Sequence, residues 1–484
     1  MDNFYWLIIA AVTALAVLAA GHAVLYKRDP RAAFGWVAVC LMFPLAGALL
    51  YFVFGINRIH TRARKLHRIG RRFRFNLGYE RLDAGDDAPL EHADLPPEFV
   101  DIARVSDAVT RRPLLAGNHL EPLENGEQAY PAMLEAIERA RASVYLCTYI
   151  FQADDIGRRF IAALAGARER GVDVRVIVDG IGERYSFPRT ARSLLVKHGI
   201  PMARFLPPTL VPPTLYINLR THRKVLCCDG EVGFTGGMNI ADRHLVEDAK
   251  NRAPVHDVHF RVTGPVIGQM VETFLEDWNF CTGRTDVVPP MEFVPEATDA
   301  SRGAVSRVIA DGPNEDLDKL AAIMMGAISV ARRRIGIVTP YFLPPREMIS
   351  ALQTAVLRGV QVSLVLPSRN NLPYVHWATQ NMLWEVVQRG VGVYYQPPPF
   401  DHTKLFLVDD FYVQIGSANM DPRSLRLNFE LALEVFDRKI AATLWSRLEQ
   451  LRARAHRVTL NELDSRSLPV RARDAIAWLF SPYL

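Results

Sequence analysis

Two long apolar runs open the chain. Phe4 to Leu25 is interrupted only by Thr13 and His22, and Phe34 to Gly55 carries Pro44. As a helix the first run would span about 33 Å, enough for a bilayer core of ~30 Å. Membrane helices tolerate a proline when neighbours re-satisfy the backbone. A polar turn, Tyr26 to Arg31, separates the runs. The pattern predicts a two-helix transmembrane hairpin over residues 1–57. A cleaved signal peptide competes, but it wants a basic start and a shorter apolar stretch. This chain begins Met1-Asp2-Asn3, and the second run would stay unexplained.

The pattern then changes abruptly. Between positions 58 and 74 stand Arg58, Arg62, Arg64, Lys65, Arg68, Arg71, Arg72 and Arg74, with no acid among them. The hairpin turn carries only Lys27, Arg28 and Arg31, partly offset by Asp29. The denser cluster predicts that everything after residue 58 lies on the cytoplasmic side. The same cluster suits anionic headgroups, at roughly 1 kcal/mol per basic residue near the surface.

From about residue 110 the pattern reads twice. Helix-like Ala132 to Ala142 leads into strand-like Ser143 to Ile150; helix-like Ile156 to Arg170 leads through Gly171-Val172 into Asp173 to Val178. In the second half a helix ending at Arg334 leads into Ile335 to Thr339; Arg346 to Arg358 leads through Gly359-Val360 into Gln361 to Leu366. The glycines end helices where an L-residue would resist the left-handed conformation. Alternating helices and β-branched strands predict an α/β fold with a largely covered sheet, in two pseudo-symmetric domains. Pro207 to Pro213 reads as a loop, and Val288 to Val305 as the join. The expected division is a basic juxtamembrane linker over 58–110, a first domain over 111–297 and a second over 298–484.

Each half repeats one constellation. His222, Lys224 and Asp229 are followed by Gly236, Gly237 and Asn239; His402, Lys404 and Asp409 are followed by Gly416, Ser417 and Asn419. The histidines lie 180 residues apart. On a strand, side chains at i and i+2 share a face, so each His points with its Lys. Lysine offers a cation to phosphate oxygens and asparagine offers neutral donors. Histidine can attack, accept or give a proton near neutrality. Two such sets across a pseudo-two-fold axis would place two imidazoles on opposite sides of one phosphorus, as in-line double displacement requires. The candidate catalytic set is therefore His222, Lys224, Asp229, His402, Lys404 and Asp409. Gly237, Asn239, Ser417 and Asn419 support the phosphate. Asp229 and Asp409 suit support of the turns better than proton transfer.

Composition narrows the rest. With 49% hydrophobic and 23% charged residues the chain folds rather than staying disordered. A net charge of +5 is too small for a strongly basic nucleic-acid binder. Five cysteines without a CxxC pair indicate neither a disulfide framework nor a zinc site.

The repeated motif resembles the HKD signature of the phospholipase D superfamily, and nearly the whole chain is similar to bacterial cardiolipin synthases. The likeness includes Thr339 to Phe342, Gly416 to Ser424, Leu427 to Leu431, Phe43 to Gly47, Leu50 to Arg58 and the tail Ser481 to Leu484. It implies an integral protein of the bacterial inner membrane, multi-pass, with its catalytic domains cytoplasmic. It implies a phosphatidyltransferase: one histidine attacks the phosphorus of phosphatidylglycerol and expels glycerol, and a second phosphatidylglycerol then attacks the phosphatidyl-histidine to give cardiolipin. Phosphatidylglycerol and anionic membrane lipids are the implied partners, with no nucleic acid. No metal or other cofactor is implied, since Lys224, Lys404, Asn239 and Asn419 would stabilise the charge. Family precedent makes His222 the nucleophile and His402 the acid, then base. It also assigns Glu430 to His222 and Asp257 to His402 as orienting acids. Asp401, directly before His402, is expected to raise the pKa of that histidine if it lies close. Asp154, Arg423 and Asn428 are supporting candidates. The stretch Pro469 to Leu484 fits either the headgroup region or the catalytic domain. Hydrolytic phospholipases, nucleic-acid phosphodiesterases and spent lipid-binding scaffolds are the competing readings. The acceptor in the second step separates the first of them.

Overall fold

The computed structural model describes residues 2–27, 30–55, 95–186, 190–210, 213–214, 219–287, 303–312 and 319–481. The basic cluster at 58–74, most of the expected join and residues 482–484 lie outside the described residues. The chain forms two compact units that divide near residue 67.

In the N-terminal unit, Asp2–Tyr26 is one helix, and Phe4–Tyr26 is long and apolar enough to cross a bilayer. The second apolar run is not one helix. It divides at Phe43 into Pro30–Met42 and Pro44–Leu50, then closes in a π-turn, Tyr51–Gly55. Pro44 has no N–H to donate and disfavours helical backbone at the residue before it. Phe43 accordingly sits at φ −128°, ψ 73°. Both segments pack on the first helix. Ala20, Ala23, Cys40 and Tyr51 form a small buried seam, and the Tyr51 hydroxyl lies 2.8 Å from His22 Nδ1. Small residues let helices approach where water supplies no hydrophobic drive. The larger apolar side chains, Leu18, Leu25, Phe34 and Leu49 among them, face outward.

The larger unit holds a sheet of fifteen strands among the described residues. Each half contributes the same series. In the first, Ser143–Thr148, Asp173–Asp179 and Met202–Phe205 run parallel; in the second, Arg334–Val338, Gln361–Pro367 and Gly392–Gln396 do so. Next to each series lies an antiparallel hairpin, Val225–Cys228 with Val232–Gly236, or Leu405–Val408 with Tyr412–Gly416. Beyond it lie Val258–Thr263 and Glu430–Phe436. The halves join where Leu115–Glu124 pairs antiparallel with Ala304–Asp311.

The expected helices form at Asn125–Arg139, Asp155–Glu169 and Arg346–Leu357, the second capped by Asp154 accepting from Gly157 N (3.0 Å). Gly171 (φ 87°) and Gly359 (φ 90°) make the left-handed exits that end two of them. Several boundaries differ from expectation, the first helix among them, which starts at Asn125 rather than Ala132 and ends at Arg139 rather than Ala142. The helix before Arg334 stops at Val330, and an intervening turn frees Arg334 to start the strand. Pro97–Thr110, assigned to the basic linker, is a core helix. Phe99, Ile102 and Ala103 pack with Leu320, Ile323 and Met324. Ser106 donates to Glu434 (2.7 Å), which also pairs with fully buried Arg307 (2.7 Å). Its period-3.6 apolar stripe carried that signal. At the other end, Leu468–Leu479 packs on Pro373–Val387, with the Arg473 guanidinium 4.7 Å from the Trp377 ring, while Leu468, Ile476 and Leu479 remain exposed. All five cysteines are free thiols.

Candidate active site

Each motif histidine stands just before its strand and is docked by the other half. His222 N–H donates to Phe429 O (2.8 Å), and His402 N–H donates to His256 O (2.7 Å). The next residues along those partner segments are Glu430 and Asp257. The backbone docking therefore delivers each acid to the opposite histidine. His222 Nδ1 lies 3.0 Å from Glu430 Oε2, and His402 Nδ1 lies 3.0 Å from Asp257 Oδ2. The ring centroids are 6.5 Å apart at 79°. That gap is too wide for a bond between the rings and suits one bridging phosphate. With each Nδ1 tied back, Nε2 is the nitrogen left for chemistry.

The supporting groups converge on the same place. Lys224 Nζ donates to His222 O (2.6 Å) and Lys404 Nζ to His402 O (2.5 Å), which fixes each amine beside its own imidazole. Asn239 Oδ1 accepts from Ile150 N (3.1 Å), and Asn419 Nδ2 donates to Ser424 Oγ (3.2 Å). The two glycine turns are not equivalent. A Cβ on Gly237 would stand 2.5 Å from Asp257 Oδ2, so only glycine admits that carboxyl. At the matching position Ser417 donates its hydroxyl to Glu430 Oε2. Asp229 and Asp409 lie seven residues beyond their histidines, roughly 20 Å along an extended strand. Each accepts three backbone N–H bonds: from Arg141, Ala142 and Ser143 (2.7–2.8 Å), and from Arg332, Arg333 and Arg334 (2.7–2.9 Å). This geometry favours turn support over proton transfer for both.

Burial and neighbouring charge set the protonation states. Desolvation lowers His222 to about 4, with Lys224 adding to the effect and Glu430 opposing it. Desolvation and the two lysines hold His402 well below the ordinary range. Asp401 is not among the main influences on His402, whose pKa falls rather than rises. Its charge bears on Asp257 and Lys404 instead, and its own carboxylate accepts from Thr403 N (2.8 Å). Desolvation brings Lys224 down to about 7 and Lys404 to about 8. The two acids part company. Burial pushes Asp257 up to about 8, aided by Asp401. Burial also pushes on Glu430, but His222, Lys224 and the Ser417 hydroxyl together hold it below its usual value.

Three contributors escaped the sequence reading. Tyr149 and Tyr341 close over His222 and His402 edge-on, at 5.5 and 6.4 Å between centroids. Each tyrosine follows the first parallel strand of its half, though one residue out of register, since Thr148 and Thr339 are the matching positions. Arg223, between His222 and Lys224, is buried against Asp277 (2.6 Å) and donates to Glu430 O (3.1 Å), holding the acid's strand. The rings line a cavity of about 1000 Å³ shared by both halves.

A repeated sheet, with one histidine and one asparagine from each half lining a shared cavity and a buried lysine bonded to each histidine's carbonyl, defines a two-lobed enzyme of phosphodiester chemistry. The family described as "Cardiolipin synthase, PLD-like domain" matches residues 133–278 and 324–452, once in each lobe. "Phospholipase_D-nuclease N-terminal" matches residues 14–55. Cardiolipin synthase A of Pseudomonas fluorescens is 33% identical over 98% of both chains. That of Pseudomonas aeruginosa is 32% identical over 92% of this chain and 89% of its own. The crystal structure of phosphatidylserine synthase from Haemophilus influenzae shares the fold, with a TM-score of 0.62 at 17% identity, covering 79% of this chain and all of that one. The chain belongs to the cardiolipin synthase family of phospholipase D-like proteins.

Proposed function

We propose that this chain is a cardiolipin synthase that moves a phosphatidyl group between two phosphatidylglycerol molecules, and that His222 is its nucleophile. The reading rests on one observation: two imidazoles 6.5 Å apart, each backed by a buried acid from the opposite half. The acids differ in proton content. Glu430 is an anion behind His222, so Nδ1–H donates to it and the Nε2 lone pair is free to attack. Asp257 holds a proton to about pH 8, so the Asp257–His402 pair carries one proton more. That proton is what the departing glycerol oxygen needs.

In the first step His222 Nε2 bonds to phosphorus while the glycerol oxygen leaves and takes the proton from His402. In the second, the terminal hydroxyl of another phosphatidylglycerol gives its proton to His402 as its oxygen displaces Nε2. Lys224, Lys404, Asn239 and Asn419 stabilise the phosphoryl oxygens, and an anion bound there favours the charged lysines. The two catalytic domains are taken as 111–297 and 298–484, with the family matches 133–278 and 324–452 falling one inside each. The helix Phe4–Tyr26 anchors the protein, the kinked second run completes a hairpin, and the cluster from Arg58 to Arg74 keeps the lobes cytoplasmic.

The test supplies purified protein with phosphatidylglycerol in mixed micelles and resolves the products by mass. Cardiolipin with glycerol supports transfer. Phosphatidic acid alone would make the protein a hydrolase.

A further inference from the structure

Transfer brings two phosphodiesters into one cavity, and the motif groups serve only the reacting one. The acceptor keeps its own phosphate, an anion costly to desolvate without a partner. We infer that Arg243 binds that second, unreacting phosphate; the inference rests on the proposed transfer and on His222 as nucleophile.

The cavity wall carries four arginines: Arg220, Arg243, Arg369 and Arg423. Arg220 is committed to buried Asp179 at 3.2 Å, and Arg369 is exposed. Arg243 and Arg423 are equivalents, each four residues beyond its motif asparagine. The crossed docking places them on opposite sides. The charge of Arg423 bears on Tyr149, whose ring meets His222. Arg243 precedes His244, which lines the cavity together with His402. His244 Nδ1 also lies 3.3 Å from Val255 O, and Val255 pairs with Phe400, two residues before His402.

In-line displacement fixes the acceptor's approach. Its hydroxyl oxygen bonds to phosphorus opposite His222 Nε2, from the His402 side, and its proton passes to His402 as the N–P bond breaks. Three carbons of glycerol separate that hydroxyl from the acceptor's phosphate, so the phosphate must stay on the same side. Arg243 is half-buried there. Among the described residues no carboxylate pairs with it. Its guanidinium donates to the side-chain oxygen of Gln152 (3.2 Å), in the amide orientation that also lets Gln152 donate to Asp154. A planar fork of donors in that place matches a phosphodiester better than an ammonium would.

Two acceptors separate this role from general catalysis. Full-length protein in phosphatidylglycerol micelles is assayed for cardiolipin, and in parallel for exchange of labelled free glycerol into phosphatidylglycerol. Glycerol uses the same phosphatidyl-enzyme but brings no second phosphate. In Arg243→Gln, cardiolipin formation should fall about ten- to a hundredfold, the range of a lost charged hydrogen bond, with exchange held within about twofold. Arg243→Lys should restore part of the loss. Unchanged cardiolipin formation overturns the inference. Should Arg243→Gln lose both activities, Arg243→Lys must still separate the two acceptors, and equal loss there overturns it as well. A wild-type protein that exchanges glycerol but makes no cardiolipin would instead sink the transferase reading.

Discussion

The two lobes bring the same kinds of group to the cavity but hold different numbers of protons. In the first lobe Gly237 leaves room for Asp257 and offers it no donor, while Asp401 adds a neighbouring negative charge. In the second lobe Ser417 offers Glu430 a hydroxyl, and His222 with Lys224 stabilises its charge. A pseudo-symmetric scaffold thus carries an unsymmetrical pair of histidines. Symmetry of fold supplies two facing imidazoles, and in the proposed mechanism small differences behind the rings would divide attack from proton donation.

The sharpest way to break this comparison is to remove each histidine. His222→Ala and His402→Ala should both lose at least about a thousandfold in turnover on phosphatidylglycerol. They should diverge on a phosphatidyl substrate with an activated leaving group, such as p-nitrophenol. That group departs without a proton, so His402→Ala should release a burst of p-nitrophenol and His222→Ala none. The reverse pattern would exchange the two roles. Activity within a few-fold of wild type in either variant on the natural substrate would refute the two-histidine mechanism altogether.

The acids come next. Glu430→Gln should slow formation of the phosphatidyl-enzyme by about a hundredfold, because the cationic imidazole loses its counter-charge. Rapid-quench measurement of the covalent intermediate checks this. Ser417→Ala, which leaves the Glu430 carboxylate in place, should cost only a few-fold in the same assay.

The proton difference predicts a pH profile. His222 must be neutral to attack, and with its pKa lowered to about 4, kcat/KM should fall only below about pH 5. On the alkaline side Lys224, Lys404 and the Asp257–His402 pair lose needed protons at about 7 to 8, so kcat/KM should decline as pH rises through that range. Asp401→Asn removes a charge that helps Asp257 keep its proton. The alkaline limb should then move to lower pH by roughly 0.5–1 unit. A shift upward would mean that Asp401 acts elsewhere.

The smallest effect on catalysis should come from the motif aspartates. Asp229→Ala strips an acceptor from three N–H groups and should destabilise the fold by about 1–3 kcal/mol, leaving turnover per folded molecule within about twofold. Denaturant unfolding beside active-site titration separates the two. Chelation by EDTA should leave the rate unchanged if, as proposed, the lysines and asparagines carry the charge stabilisation.

Much of this was legible along the chain because it is written in local pattern. Apolar runs, period-two strands, glycine helix exits and a motif repeated after 180 residues mark the anchor, the α/β repeat and the histidines without any tertiary information. The length of the second apolar run was legible too, but its break at Pro44 divides it into shorter helices. Pro97–Thr110 was hidden by the basic stretch before it, although its own stripe points to a core. The family resemblance already paired Glu430 with His222 and Asp257 with His402, but only the folded sheet decided which acid keeps its proton and where Arg243 stands. Those depend on strands more than a hundred residues apart meeting away from water. Burial and distance set a pKa, and neither is a property of sequence spacing.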